Sequence, residues 1–166
     1  MLTGTRTVMV SLVIVVVALA LVVATLGEGT ARPGRDGVLE IVMEGNDFTP
    51  SRMTIPAEEP VTLVFVNDND AARNVAFGRE VIETDGIPTG LQEDLFAGLS
   101  ARVEPGRSWI GPSESVPVVT ISVSGRSSTR VHVTFPRDRV GDWEMVCFRG
   151  RGCDPRVATV AKVTIR

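Results

Sequence analysis

Few residues in this chain could do redox or metal chemistry. Two are the cysteines of "EMVCFRGRGCDPR", Cys147 and Cys153, and a third is the single histidine, His132, in "RVHVTF". Two thiols with five residues between them could ligate a soft metal, cycle as a redox dithiol, or pair as a structural disulfide. The C-x5-C spacing matches no common zinc or iron–sulfur pattern, and it lacks the C-x-x-C of thioredoxin-like redox sites. Gly150 and Gly152 give the intervening backbone freedom to curl the two Cβ atoms together. A loop so short would gain roughly 2–3 kcal/mol from closure. A disulfide is the favoured reading; exposed or regulatory thiols and a metal site stay open as alternatives. For His132, strand alternation puts Val131, Val133 and Phe135 on one face and Arg130, His132 and Thr134 on the other, which makes it a surface histidine. A ligand role would need a register slip or a second, unrelated site.

Other catalytic arrangements fail by inventory. A serine triad would have to use His132, and no G-x-S-x-G elbow is present. No phosphate loop or dinucleotide fingerprint occurs. The acids between residues 80 and 94, "REVIETDG" among them, could line a cleft with paired carboxylates, but they read equally well as a solvated turn. The chain is therefore expected not to be an enzyme.

The elements that must position these residues begin with an uncharged run, "VMVSLVIVVVALALVVATL", from Val8 to Leu26. As a helix it would rise roughly 28 Å, about the thickness of a bilayer core. Arg6 precedes it and Glu28 is the first charge beyond it, so the N-terminus is expected in the cytoplasm and the bulk of the chain outside. Residues 1–7 then form a cytoplasmic end, 8–26 a transmembrane anchor or signal segment, 27–37 a Gly/Pro-rich linker, and 38–166 one domain. Cleavage of the run would leave a secreted protein; retention leaves a domain tethered to the extracytoplasmic face, periplasmic or cell-surface. In such a compartment two thiols usually pair. Acids dominate residues 38–100 and basic residues dominate 126–166 within a net charge of -3. This asymmetry is either ordinary solvated surface or a basic rim facing an acidic partner or lipid headgroups. Nucleic acid is excluded by the compartment and by the lack of a basic stripe interleaved with aromatics.

Alternation predicts strands at 38–43, 61–66, 116–123, 130–135, 143–148 and 157–166, with shorter extended pieces in "FTPSRMTIP" and "RNVAF". Leu91, Leu95 and Leu99 are spaced by four, with Glu93 and Asp94 among them, which predicts a short helix over 91–99. In "WEMVCF", Trp143, Met145 and Cys147 share a face expected to point into the core. The sum is an all-β Greek-key sandwich of seven to eight strands with a short helical insertion and one N-terminal transmembrane helix.

Three stretches together resemble the cupredoxin family, especially its plastocyanin-like and iron-uptake-associated bacterial members: "FTPSRMTIPAEEPVTLVFVNDND", "RNVAFG" and "VTFPRDRVGDWEMVCF". "FGREVIETDGIPTGLQEDLFAGL" looks like an insertion found in some bacterial relatives. The resemblance implies a cupredoxin-like sandwich. In that family two histidines, a cysteine thiolate and a weak axial Met hold a type 1 copper for one-electron transfer. Cys147 matches the family's cysteine. Arg73 stands where the first histidine would be, and a guanidinium has no lone pair to give. The second histidine would fall near Gly152, and no histidine or methionine follows Cys147. What the resemblance implies is thus a module with a degenerate copper site and no cofactor. It would be an accessory, structural or protein-binding subunit of a respiratory or other membrane complex, with protein partners and a bilayer contact through 8–26. The alternative is an atypical copper carrier using Cys147, with Cys153 or His132 as weak further ligands. A third reading uses Arg73 to hold a carboxylate or phosphate in the vacated space, against which stands internal pairing of Arg73 with an acid. The candidate contact element comprises Arg73, Ile87, Leu91, Leu95 and Phe96, along with Ile82, unless these apolar residues merely cover one end of the sandwich.

Overall fold

Residues with apolar side chains at every second position fold into strands that share their buried faces. In the first strand, β1 (Val38–Glu44), Leu39, Ile41 and Met43 are buried, while Glu40 and Glu44 are exposed. The computed structural model describes residues 29–84, 87–104, 110–112, 118–147 and 160–166. The remaining strands are β2 (Asp47–Thr49), β3 (Arg52–Ile55), β4 (Pro60–Asn67), β5 (Arg73–Thr84), β6 (Ile87–Asp94), β7 (Arg102–Glu104), β8 (Ile110–Pro112), β9 (Val119–Val123), β10 (Ser127–Thr134), β11 (Gly141–Cys147) and β12 (Val160–Ile165). A single turn of 3₁₀ helix at Arg137–Arg139 is the helical structure among the described residues.

Two sheets result. One runs β2-β1-β4-β10-β7, and the other runs β3-β12-β11-β5-β9-β8 with β6 paired to β5. Parallel pairing of β1 with β4 and of β12 with β3 requires the chain to cross between sheets. Their inner faces enclose the core, through which Phe65, Phe77, Phe96 and Phe135 run as a chain of edge-to-face rings with centroids 6.1, 5.4 and 5.5 Å apart. Ahead of β1, Ala31 forms a bridge to Met53, so the chain is already held to β3 before the linker ends.

The second sheet departs from simple alternation. Val75, Ala76 and Phe77 are all buried, as are Met145, Val146 and Cys147. Ala76 and Val146 face each other in register on the outer side of the sheet, where they cluster with Leu91 and Val118. Leu91 reaches this cluster from β6. Gly78 is required there, because a Cβ at that position would collide with the Glu93 carbonyl and the Leu91 side chain.

The expected helix over 91–99 is not formed. Residues up to Asp94 pair with β5 as β6, from Thr84 opposite Ile87 to Gly78 opposite Asp94, and 95–98 form a turn. The spacing of four arises because Leu91 packs on the outer cluster, while Leu95 and Phe96, within the turn, enter the main core. The Asp94 carboxylate secures that turn by accepting from the backbone N–H groups of Phe96 at 2.9 Å and Val119 at 2.6 Å. The twelve strands among the described residues also outnumber the seven or eight expected, because β7 and β8 form in a segment that reads as loop, β6 replaces the expected helix, and the piece "FTPSRMTIP" divides between β2 and β3. Residues 8–26, the expected span, lie outside the described residues.

Candidate functional site

Four pieces of chain converge at one end of the sandwich. They are the end of β1, the β1–β2 turn, the start of β5 and the end of β11. Met43, Gly45, Asn46, Asp47, Phe48, Arg73 and Cys147 line a crevice there of about 10 Å³. Arg73 and Cys147 thus meet, as the resemblance implies. Cys147 is buried as the last residue of β11, opposite Val75, while Trp143 and Met145 on the same face are core residues.

Arg73 is pinned as a strand residue opposite Val123, and only 6% of it is exposed. Its Nη2 donates to the Gly45 carbonyl, and its buried Nε has no acceptor. Burial pushes its pKa below the ordinary arginine value, because desolvation disfavours the charged form. Among the described residues no ion pair includes Arg73, although Asp47 lines the same crevice.

Beside it, Asn67 closes β4 and is 1% exposed. Its Nδ2 donates to the carbonyls of Ala71 at 2.9 Å, Val123 at 3.1 Å and Ser124 at 3.0 Å. Its Oδ1 accepts from the backbone and side-chain amides of Asn69 at 3.1 and 3.0 Å. Asn69 in turn donates to Met43 O at 2.8 Å and accepts from Gly45 N at 2.9 Å. This network ties together the loops that shape the crevice. Outside it, Arg126 bonds Asp70 at 2.8 Å and Asp68 at 2.6 Å, and the hydrogen bonds and charges of Asp70, then of Asp68, raise its pKa. Sequence reasoning did not find Asn67; the signal was an Asn placed where a strand runs into the polar turn "NDNDAA".

His132 is elsewhere. It sits partly exposed on the outer face of the first sheet, its Nδ1 3.0 Å from Thr62 Oγ1 and its Nε2 3.5 Å from Glu104 Oε2. It lines a separate groove of about 560 Å³ that shares no residue with the Arg73 crevice. A cavity of about 720 Å³ lies at the opposite end of the sandwich and is lined by Arg32, Arg35, Asp36, Glu59 and Arg166 among others. Cys153 lies outside the described residues, and no free cysteine occurs among them. Leu91, Leu95 and Phe96 are 6%, 0% and 3% exposed and pack into the two apolar clusters. Ile82 is 44% exposed, and the side chain of Ile87 lies outside the described residues.

The donors at this end do not fit a type 1 copper set. A guanidinium, itself a cation, lines the crevice beside Cys147, and the sole histidine is on another face. Among the described residues no three His, Cys, Asp or Glu side chains are grouped to hold a metal.

Similar structures include auracyanin B, at 16% identity over 84% of this chain and 91% of that one with a TM-score of 0.47. Auracyanin A, a blue copper protein of Chloroflexus aurantiacus, is 19% identical over 78% of this chain and 98% of that one, also at 0.47. Rusticyanin of Thiobacillus ferrooxidans is 10% identical over 84% of this chain and 86% of that one, at 0.46. No curated protein matches the sequence. Residues 13–102, just over half the chain, match the model of the cupredoxin-like domain. This chain belongs to the cupredoxin-like domain family.

Proposed function

We propose that this chain is a membrane-tethered, extracytoplasmic cupredoxin-like module that acts through its surface, as an accessory or protein-binding subunit of a membrane complex, and not as an enzyme. The observation that carries this reading is Arg73. A buried guanidinium at the position of a copper ligand places positive charge where a metal ion would need electron-pair donors. The tether rests on the uncharged run at 8–26, which is long enough to span a bilayer and is flanked by Arg6. Within this reading Cys147 and Cys153 are joined as a disulfide, supported by their spacing, by the extracytoplasmic location and by the lack of a free cysteine among the described residues.

The test is copper loading of the full-length protein, together with its intact mass before and after reduction and alkylation. After addition of stoichiometric Cu(I) or Cu(II) and desalting, the expected result is no retained copper and a mass two hydrogens light. Two free thiols with about one copper per chain would overturn the reading in favour of an atypical electron carrier. For the accessory role, gentle membrane extraction is expected to yield the chain in a larger assembly. Recovery of a free monomer alone would count against it.

A further inference from the structure

We infer that Arg73 forms one wall of a small-anion site that accepts a single carboxylate group, at the end of the sandwich where the copper donors are missing. The argument begins with charge. Arg73 is 6% exposed, yet no carboxylate of the described residues lies within ion-pair distance of it. A buried charge without a counterion is unfavourable unless a ligand supplies one. Its hydrogen bonding points the same way: one nitrogen donates to the Gly45 carbonyl, and the buried Nε–H has no acceptor. A neighbouring N–H edge of this kind is the part of a guanidinium that a carboxylate oxygen recognises best.

The crevice sets the size of the ligand. Its volume of about 10 Å³, between Met43, Phe48 and Cys147, is near the lower limit for one water-sized group. One anion oxygen fits, so a carboxylate enters edge-first with its carbon and second oxygen at the mouth, where its planar shape crowds Met43 and Phe48 less than the three further oxygens of a tetrahedral oxyanion. The backbone at Gly45 and Asn46 forms part of the lining, so a carboxylate would enter past the β1–β2 turn. That turn is held in place by the Asn69 amide on Gly45 N. The site is thereby pre-shaped, and binding would not have to order it. This inference depends on neither the tether nor the accessory role.

The experiment follows the Arg73 Nε–H resonance by NMR in ¹⁵N-labelled full-length protein in detergent, identified by its loss in Arg73→Gln. Sodium acetate is titrated at constant ionic strength against sodium sulfate. The expected result is a saturable shift of that resonance in the millimolar range of acetate, with sulfate alone leaving it unmoved. A shift that is absent, that fails to saturate, or that sulfate reproduces would overturn the proposal. Asp47 is the internal competitor. If Asp47→Asn, without acetate, moves the Arg73 resonance as far as saturating acetate does in the wild type, Asp47 is the counterion and the site falls. A short acidic peptide in place of acetate separates two sources of the same group. Tighter binding of the peptide assigns the carboxylate to a protein partner, and equal binding assigns it to a free small acid. Should Arg73→Gln fail to fold, Arg73→Lys, which keeps the charge but lacks the Nε–H, identifies the resonance by the same loss, and the wild-type titration with its sulfate control decides the question.

Discussion

Asn67 and Arg73 are buried polar side chains six positions apart, at either end of the same loop, and they are treated in opposite ways. Asn67 makes contacts to Ala71, Val123, Ser124 and Asn69 that occupy both ends of its amide. Arg73 has one carbonyl and an idle Nε. A closed network of neutral groups holds three loops in fixed relation and has no capacity left for a ligand. A buried cation with unfilled donors contributes little to stability and retains the capacity to bind. The contrast separates a residue that builds this end of the molecule from one that the end presents.

Mutations can break that contrast, and the largest effect is expected at Asn67. Asn67→Ala removes donors from three carbonyls and strands the Asn69 amide, so roughly 3–5 kcal/mol of stability should be lost: about 1–3 kcal/mol for the buried bond to Val123, and less for each part-buried group that water can reach. Urea denaturation midpoints would measure it, and a loss below about 1 kcal/mol would mean that water replaces the network. Next, opening the proposed staple with Cys147→Ser and Cys153→Ser together is expected to lower stability by about 2 kcal/mol. Wild type in reductant should fall to the same level; if reductant has no effect, the two cysteines are not joined.

A partnered arginine sharpens the comparison. Arg79 stacks 3.8 Å from the Trp143 ring centroid, donates from Nε to the Asp142 carbonyl at 2.7 Å and pairs with Glu93 at 3.2 Å. Arg79→Met is expected to lose about 0.5–1 kcal/mol, since the site is part-exposed and the Glu93 pair is screened. Trp143 fluorescence would report the lost stacking. Smallest of all is Arg73→Met, with a change within about 1 kcal/mol of zero and a gain as the expected sign. The sign follows from its lowered pKa: the charged form is less favourable in the fold than in the unfolded chain, so removing the charge removes that penalty. A loss comparable to that of Asn67→Ala would erase the distinction between the two residues.

Much of the fold was legible because alternation is local. Leu39, Ile41 and Met43 in β1, Val131 and Val133 in β10, and Trp143, Met145 and Cys147 in β11 all face the core that their pattern predicts. His132 stands on the opposite face from its buried neighbours for the same reason. The failure at Leu91, Leu95 and Leu99 is equally instructive. A period of four over one short segment cannot tell a helix from a strand that ends in a turn, because the deciding hydrogen bonds come from β5, earlier in the chain. Ala76 and Val146 were missed as buried positions because the cover over them is Leu91 and Val118, brought from distant segments.

By itself the sequence determined the sheet-forming pattern, the uncharged N-terminal run and the chemical inventory of the site. The resemblance puts Arg73 where a ligand histidine would stand, and no folding can turn a guanidinium into a lone-pair donor. Only the tertiary structure decided which polar groups are satisfied. Gly45 lies 28 positions from Arg73 and Val123 lies 56 from Asn67, so the acceptors that close one network and leave the other open are gathered by the packing of two sheets. Hydrogen-bond satisfaction depends on atoms within about 3 Å in space, and strand pairing sets those distances without regard to separation along the chain.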